Sequence, residues 1–410
     1  MKSRKTINKI VKFIERDCII VLHGARQVGK TTIMHYLMDY LKKDKSVADN
    51  FVFYMDLEDF ILLDLCNKGP EEVLNYIKGK GCDLDGKVYL FIDEIQYLNN
   101  PSSFLKLFHD RYKGKVKLIV SGSSSFNIKT KFKDSLVGRT IDFEIFGLDF
   151  EEFLNFKGKS LSLESKVDSI VNELKDLYKE YVLFGSYPAI VLEPEIAIKE
   201  EMLKQIINTY IKKDIKDLAN IRDLNKFNNL IKILAAQTGN LLNVLEIANT
   251  LGISQASVEK YLLILENTYI IRRVYPFHKN IKSELTKMPK IYFEDTGIVN
   301  LFINKQFSQV LTGQLFEQSI FSELRKNKNI DSLFFWRTTQ KQEIDFIIDG
   351  VNLVPIEVKL KYLNKDLKIV RRFLDYYKLD RGFICSLDVV GDAGGYQIRH
   401  LYPWEVLRVL

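Results

Sequence analysis

The sequence predicts an α/β fold whose first domain is built on a parallel sheet. Three observations lead there. A buried-strand pattern at Cys18–Leu22 passes through a glycine-bounded loop into the helical periodicity of Thr32-Ile33-Met34-His35-Tyr36-Leu37-Met38. Short apolar runs at Phe51–Met55, Val88–Ile92 and Lys117–Val120 are separated by helical or loop segments, the alternation expected of a parallel sheet. From about Lys290 onward strands return around a different set of charged residues.

A chain of 410 residues exceeds what one core fills, because single cores stop growing near roughly 250–300 residues, so several domains are expected. Its apolar fraction of 46% and charged fraction of 28% exclude a disordered or fibrous chain. No apolar run approaches the roughly 20 residues needed to cross a bilayer, and no leader pattern follows the basic start. A cytoplasmic protein without membrane contact is the expectation. Cys18, Cys66, Cys82 and Cys385 form no CxxC pair and the histidines are scattered, which argues against disulfides and zinc knuckles. The net charge of +7 fits a phosphate-bearing partner and a solvated lysine-rich surface equally well.

The loop after the first strand reads Gly24-Ala25-Arg26-Gln27-Val28-Gly29-Lys30-Thr31, followed by Thr32, a full match to GxxxxGK[ST]. Each fixed position has a chemical reason. Glycines let backbone N–H groups wrap phosphates, Lys30 reaches the β- and γ-phosphates, and the Thr31 hydroxyl ligates magnesium. ATP and Mg2+ are therefore the expected ligands.

The run Val88-Tyr89-Leu90-Phe91-Ile92-Asp93-Glu94 ends a buried strand in two acids. Asp93 would hold the magnesium shell and Glu94 would orient or deprotonate the attacking water, which favours hydrolysis over a kinase reaction. A strand followed by a solvated acidic turn is the plainer alternative. Ser121 and Ser123, in Ser121-Gly122-Ser123-Ser124-Ser125, could sense the γ-phosphate or simply form a turn. Arg139 is a candidate arginine finger, which if supplied in trans implies a homo-oligomer; a surface arginine is the alternative.

These motifs, with Phe146-Gly147-Leu148-Asp149-Phe150-Glu151-Glu152-Phe153 and Phe184-Gly185-Ser186-Tyr187-Pro188, resemble AAA-type ATPases widespread in archaea and bacteria. The resemblance covers nearly the whole chain. It implies an AAA+ P-loop domain over residues 1–146, a helical lid over 147–217, a winged helix over 218–276 and a C-terminal restriction-endonuclease-like domain over 277–410. Ala25 stands where many members have proline, and no second sensor arginine is evident.

Two later constellations bear on output. Leu245–Leu262 has the layout of a helix, a turn at Gly252 and a second helix capped by Ser254, with Ala248, Ile253, Val258 and Leu262 packing between the helices. Gln255, Ser257, Glu259 and Lys260 would face a DNA major groove, and Tyr269–Val274, with Arg272 and Arg273, would follow as a strand. A spacer or interaction module is the other reading, since the second helix is not strongly basic.

Near the C-terminus, Asp345 on one strand and Glu357-Val358-Lys359 on the next look like the PD-(D/E)xK nuclease pattern. Period-two alternation puts Glu357 and Lys359 on one face. Carboxylates of Asp345, Glu357 and Glu317 would hold magnesium while Lys359 orients water and stabilises charge. Trp336-Arg337 would stack on a base or close the core. The sequence thus points to an ATP-hydrolysing protein acting on DNA, with an ATP-dependent switch carrying an inactive nuclease-like fold as the alternative.

Overall fold

A computed structural model of the protein describes all residues except 1, 3, 84, 123–135, 211–220, 222, 278–287, 305–306, 328–329, 364–365, 390–397 and 409–410. The chain divides into two compact units: Met1–Gly147 with Asn267–Tyr269, and Leu148–Glu266 with Ile270–Leu410. The expected C-terminal segment falls in the second, as do the expected lid apart from Gly147 and the expected winged helix apart from Asn267–Tyr269.

The first unit is a five-stranded sheet of β1 (Ile19–His23), β2 (Val52–Asp56), β3 (Val88–Asp93), β4 (Val116–Gly122) and β5 (Thr140–Glu144), in the order β2-β3-β4-β1-β5. Every neighbouring pair is parallel. β1 and β3 are buried at every residue, as strands covered on both faces must be. Helices α1 (Lys5–Val11), α2 (Lys30–Lys43), α3 (Phe60–Lys68), α4 (Pro70–Gly79) and α5 (Pro101–Tyr112) accompany the sheet. The α3 start is fixed by Asp59, whose carboxylate accepts the Ile61 and Leu62 N–H groups, and the α5 start by Asn100 with Pro101 behind it. Val73, Ile77, Leu105 and Phe108 from these helices join Leu90, Ile92 and Val120 of the sheet in one apolar core.

The second unit begins with helices Phe150–Phe156, Asp168–Phe184, Pro188–Leu192 and Ile196–Tyr210. Asp149 opens the first of them with a capping box, accepting the Glu152 N–H at 2.8 Å while the Glu152 side chain accepts the Asp149 N–H at 3.3 Å. Three further helices, Leu224–Ala236, Val244–Leu251 and Gln255–Asn267, lead into a seven-stranded sheet.

That sheet contains β6 (Ile271–Pro276), β7 (Lys290–Phe293), β8 (Leu333–Arg337), β9 (Glu343–Ile348), β10 (Val354–Val358), β12 (Gly382–Cys385) and β14 (Ile398–Leu401). A two-stranded annex pairs β11 (Lys361–Tyr362) with β13 (Asp388–Val389). The order in the large sheet is β14-β12-β10-β9-β8-β6-β7. β6 pairs antiparallel with β7 and parallel with β8, so the sheet runs straight across the boundary expected at 276/277. The strand expected from Tyr269 starts instead at Ile271, because Tyr269 takes a left-handed conformation (φ 61°) that ends strand geometry.

The Phe184-Gly185-Ser186 stretch owes its sequence to a buried carboxylate. Asp295 accepts the Ser186 N–H at 2.7 Å and the Ser186 hydroxyl at 2.8 Å through Oδ2, and the Ile298 N–H at 3.2 Å through Oδ1. Gly185 sits against it at φ 83°, where a Cβ would stand 2.3 Å from Asp295 Oδ1. Gly185→Ala combines left-handed strain with displacement of a satisfied buried acid. We expect it to cost the second unit about 3 kcal/mol in chemical denaturation followed by circular dichroism; an unchanged midpoint would refute the packing argument.

Candidate nucleotide site and a second acidic cluster

β1 ends at His23, and the chain turns at once into the loop 24–29 before α2 begins at Lys30. The turn is forced to be tight because β1 and β5 stay hydrogen-bonded to their ends, with Ile145 N–H donating to the His23 carbonyl at 2.7 Å. A Cβ on Gly24 would lie 2.0 Å from the Ile145 carbonyl oxygen, so only glycine fits. Gln27 (φ 60°) and Gly29 (φ 98°) turn the loop, and Gly29 is the N-cap of α2. The positive end of α2 therefore follows the loop directly, the ordinary setting for a phosphate. Lys30, buried in that loop, donates to the Gly24 and Ala25 carbonyls at 3.0 and 2.7 Å. Ala25 and Val28 are buried, Arg26 and Thr32 belong to the same turn and helix, and Thr32 is exposed.

Three hydroxyls converge on Asp93 at the end of β3. Thr31 Oγ1 donates to its Oδ2 at 2.6 Å, Tyr54 donates to the same oxygen at 2.9 Å, and Ser121 donates to Oδ1. Parallel register brings them together, since β2, β3, β4 and β1 all end at the same edge. Burial and the neighbouring Asp93 carboxylate hold the Tyr54 phenol far above its ordinary pKa, so it stays a donor. A hydroxyl and a carboxylate side by side are hard oxygen donors of the kind magnesium takes, and Thr31 with Asp93 would hold it. Glu94 follows in a left-handed conformation (φ 54°), its carboxylate accepting from the Gln96 side-chain N–H.

Ser123 lies outside the described residues. Arg139 is found at the other edge of the sheet: its carbonyl accepts the Ile19 N–H at 2.8 Å, at the start of β1, while the loop leaves the end of β1. There it makes a two-point ion pair with Asp110, at 2.7 and 3.0 Å. It does not approach the phosphate loop of its own chain.

Sequence reasoning missed four contributors. Buried Arg4 donates to the Val28 carbonyl at 3.0 Å and to the Phe146 and Gly147 carbonyls at 2.9 and 3.3 Å, clamping the loop to the end of β5. Tyr54 and Gln96 bind the two acids as described. His23, just before Gly24, bonds through Nδ1 to the Tyr269 hydroxyl, which also donates to Glu144 at 3.4 Å.

In the second unit, the expected acids do converge, but around a residue the pattern does not include. Lys290, opening β7, lies 2.6 Å from Glu343, 3.2 Å from Glu317 and 3.7 Å from Asp345. Lys359 stands 2.5 Å from Glu357 and 3.7 Å from Asp345, on the same side of the strand as expected. Tyr292 donates to Glu317 at 2.6 Å, and the Val358 N–H to Asp345 at 2.8 Å.

Burial, then the Asp345 charge, pushes the Glu317 carboxyl up to about 7 and the Glu357 carboxyl to about 8. Burial alone would lower the Lys290 ammonium, but Glu317, Asp345 and Glu343 outweigh it and hold it above the usual lysine range. Glu357 Oε2 is buried with no hydrogen-bond partner among the described residues. The donor chemistry suits a hard cation, yet the placement does not: among the described residues no three His, Cys, Asp or Glu side chains are arranged to hold one. Trp336 closes the core against Phe373 and Ile344, and Arg337 pairs with Glu343 at 2.6 Å.

The helix-turn-helix segment has its turn at left-handed Gly252 and its Ser254 cap, which accepts the Ser257 N–H at 3.1 Å. Its flanking charges are largely committed. Arg273 pairs with Glu266 and Glu259 at 2.6 and 2.9 Å, and Arg272 with Glu294 at 2.8 Å. Gln255 and Lys260 are exposed. No helix among the described residues is long and apolar enough to cross a membrane.

Comparison with known proteins agrees with the first unit's geometry. Residues 16–154 match a family described as an AAA domain, and residues 175–331 and 312–391 match two domains of unknown function, DUF8612 and DUF4143. An uncharacterized protein of Haemophilus influenzae is 27% identical over 85% of this chain and 84% of its own. One from Methanocaldococcus jannaschii is 27% identical over 92% of this chain and 84% of its own. The Aeropyrum pernix ORC2 protein, solved in ADPNP-ADP complexes, aligns over 78% of this chain and 91% of its own at 8% identity and a TM-score of 0.37, too loose a match to argue from. With the all-parallel sheet, the loop before α2 and Asp93 at the end of β3, the family match over residues 16–154 makes this N-terminal segment one with the AAA-type P-loop ATPase fold.

Proposed function

We propose that the first unit binds ATP with magnesium and hydrolyses it, and that the second unit turns this cycle into an action on DNA. The observation that carries the first part is the meeting of Thr31, Ser121 and Tyr54 on buried Asp93, beside Lys30 and the α2 N-terminus. Magnesium held by Thr31 and Asp93 would offset phosphate charge. Backbone N–H groups of residues 24–32 and the Lys30 ammonium grip the phosphates. Glu94 takes a proton from water as its oxygen bonds to the γ-phosphorus; the bond to the β–γ bridging oxygen breaks, releasing ADP and phosphate. Ser121 holds Asp93 in place. Arg139, facing away from its own loop, acts only if a neighbouring copy of the chain presents it.

For the second unit, the winged-helix reading of residues 218–276 and the nuclease-like reading of the Asp345, Glu357 and Lys359 cluster both favour DNA as partner, with exposed Lys260 toward backbone phosphates. Phosphate release from ATP by the full chain, dependent on magnesium, tests the first part. Retardation of duplex DNA, with and without ATP, tests the second. We expect magnesium-dependent phosphate release and DNA binding that changes between nucleotide states. Transfer of phosphate to an acceptor without free phosphate would replace hydrolysis by a kinase reading.

A further inference from the structure

We propose that Lys290 is a tethered cation that neutralises the acidic cluster of the second unit and keeps divalent metal out of it. This rests on the reading of that cluster as a nuclease-like site. The lysine is not a surface residue that happens to reach inward: its side chain is 3% exposed and its ammonium has three carboxylates around it. The backbone beneath it is pinned. Leu242 N–H donates to the Pro289 carbonyl at 2.8 Å, Leu241 bridges Lys290, and Lys290 pairs with Val274 across β6 and β7. The Phe335 ring lies 5.6 Å from the ammonium, a second contact favouring a cation at that spot.

Charge accounting leads to the same place. Four acids, Glu317, Glu343, Asp345 and Glu357, face three cations, Lys290, Lys359 and Arg337, leaving a net charge of −1 if all are ionised (3 − 4). A divalent ion needs several free carboxylate oxygens at short range and gains little from a cluster already compensated. Here Lys290 engages Glu317 and Glu343 closely and sits beside Asp345, while Lys359 engages Glu357. Glu357 Oε2 is the one buried carboxylate oxygen of the cluster recorded without a partner among the described residues, too few to hold an ion. An ammonium and a divalent ion cannot share the space between Glu317, Glu343 and Asp345 without strong repulsion. Opening the site to metal therefore requires Lys290 to leave.

The test is Mn2+ titration of the full, nucleotide-free chain after chelator treatment, read by electron paramagnetic resonance. Wild type and Asp345→Asn should bind Mn2+ alike, because the site contributes nothing. Lys290→Met, which keeps the bulk and removes the charge, should gain a site about tenfold or more tighter, and adding Asp345→Asn should abolish that gain. A wild-type site lost in Asp345→Asn, or no gain in a folded Lys290→Met, overturns the proposal. If Lys290→Met does not fold, the wild-type and Asp345→Asn pair decides alone. DNA retardation on the same samples reports separately on the nuclease-like reading, which can fail while the metal result stands.

Discussion

Glu94→Gln is expected to leave ATP binding intact and to lower phosphate release by about 10²–10⁴-fold, the usual contribution of a positioned general base. The substitution is nearly isosteric, and the structure explains why the fold should tolerate it. Glu94 accepts a hydrogen bond from the Gln96 side chain, and the amide oxygen of glutamine can accept the same bond. The left-handed backbone at Glu94 is unchanged in its steric demand, since both side chains branch no earlier than Cδ. Asp93 keeps its own partners, Thr31, Tyr54 and Ser121, so the phosphate and magnesium side is untouched. What disappears is the negative charge that attracts the proton leaving water. Steady-state phosphate release beside equilibrium binding of a fluorescent ATP analogue separates the two effects. Wild-type turnover in the variant would remove Glu94 from the chemistry and return Asp93-Glu94 to an acidic turn.

Local and nonlocal features were unequally legible. The loop 24–31 could be read from sequence because its constraints are contiguous: a tight exit from a strand, glycine where another backbone passes within contact, and a helix N-terminus, all within a few residues. β3 was equally clear, being apolar on both faces and ended by its acids. β5 was not, because Thr140-Ile141-Asp142-Phe143-Glu144 is only half-buried at the sheet edge and lacks the apolar run of a central strand. Missing β5 also hid the meaning of Arg139, whose place at the far end of the sheet follows only from the β1–β5 register.

Arg4 was illegible for a related reason. One arginine in a basic N-terminus has no local signature, and its role comes from carbonyls that only the folded sheet brings to it. Lys290 is the same case in the second unit. The Asp345, Glu357, Lys359 pattern is carried by two adjacent strands and survives reading along the chain. The lysine that sits among the acids comes from β7, which is joined to β9 only through β6 and β8.

Lys30→Ala is expected to weaken ATP binding by about 100–1,000-fold while leaving the first unit folded. Each charge-assisted hydrogen bond to a phosphate oxygen is worth about 1.5–3 kcal/mol, and a lysine spanning two phosphates makes at least two. Two such bonds at the low end of that range, about 3–4 kcal/mol together, convert to the stated range. The carbonyls that Lys30 engages, on Gly24 and Ala25, belong to a loop separately tied by Arg4 at Val28 and by the close passage of Gly24 under Ile145, so the loop does not depend on the lysine for its course. The measurement is thermal unfolding with and without ATP-magnesium. Wild type should gain stability with ligand, about 2.7 kcal/mol when ligand exceeds its dissociation constant a hundredfold, and the variant should unfold at the ligand-free wild-type temperature whether or not ATP is added. A variant that ATP still stabilises fully would mean that the loop and helix N-terminus hold the phosphates without the lysine, and would shift the source of affinity to the backbone N–H groups of residues 24–32.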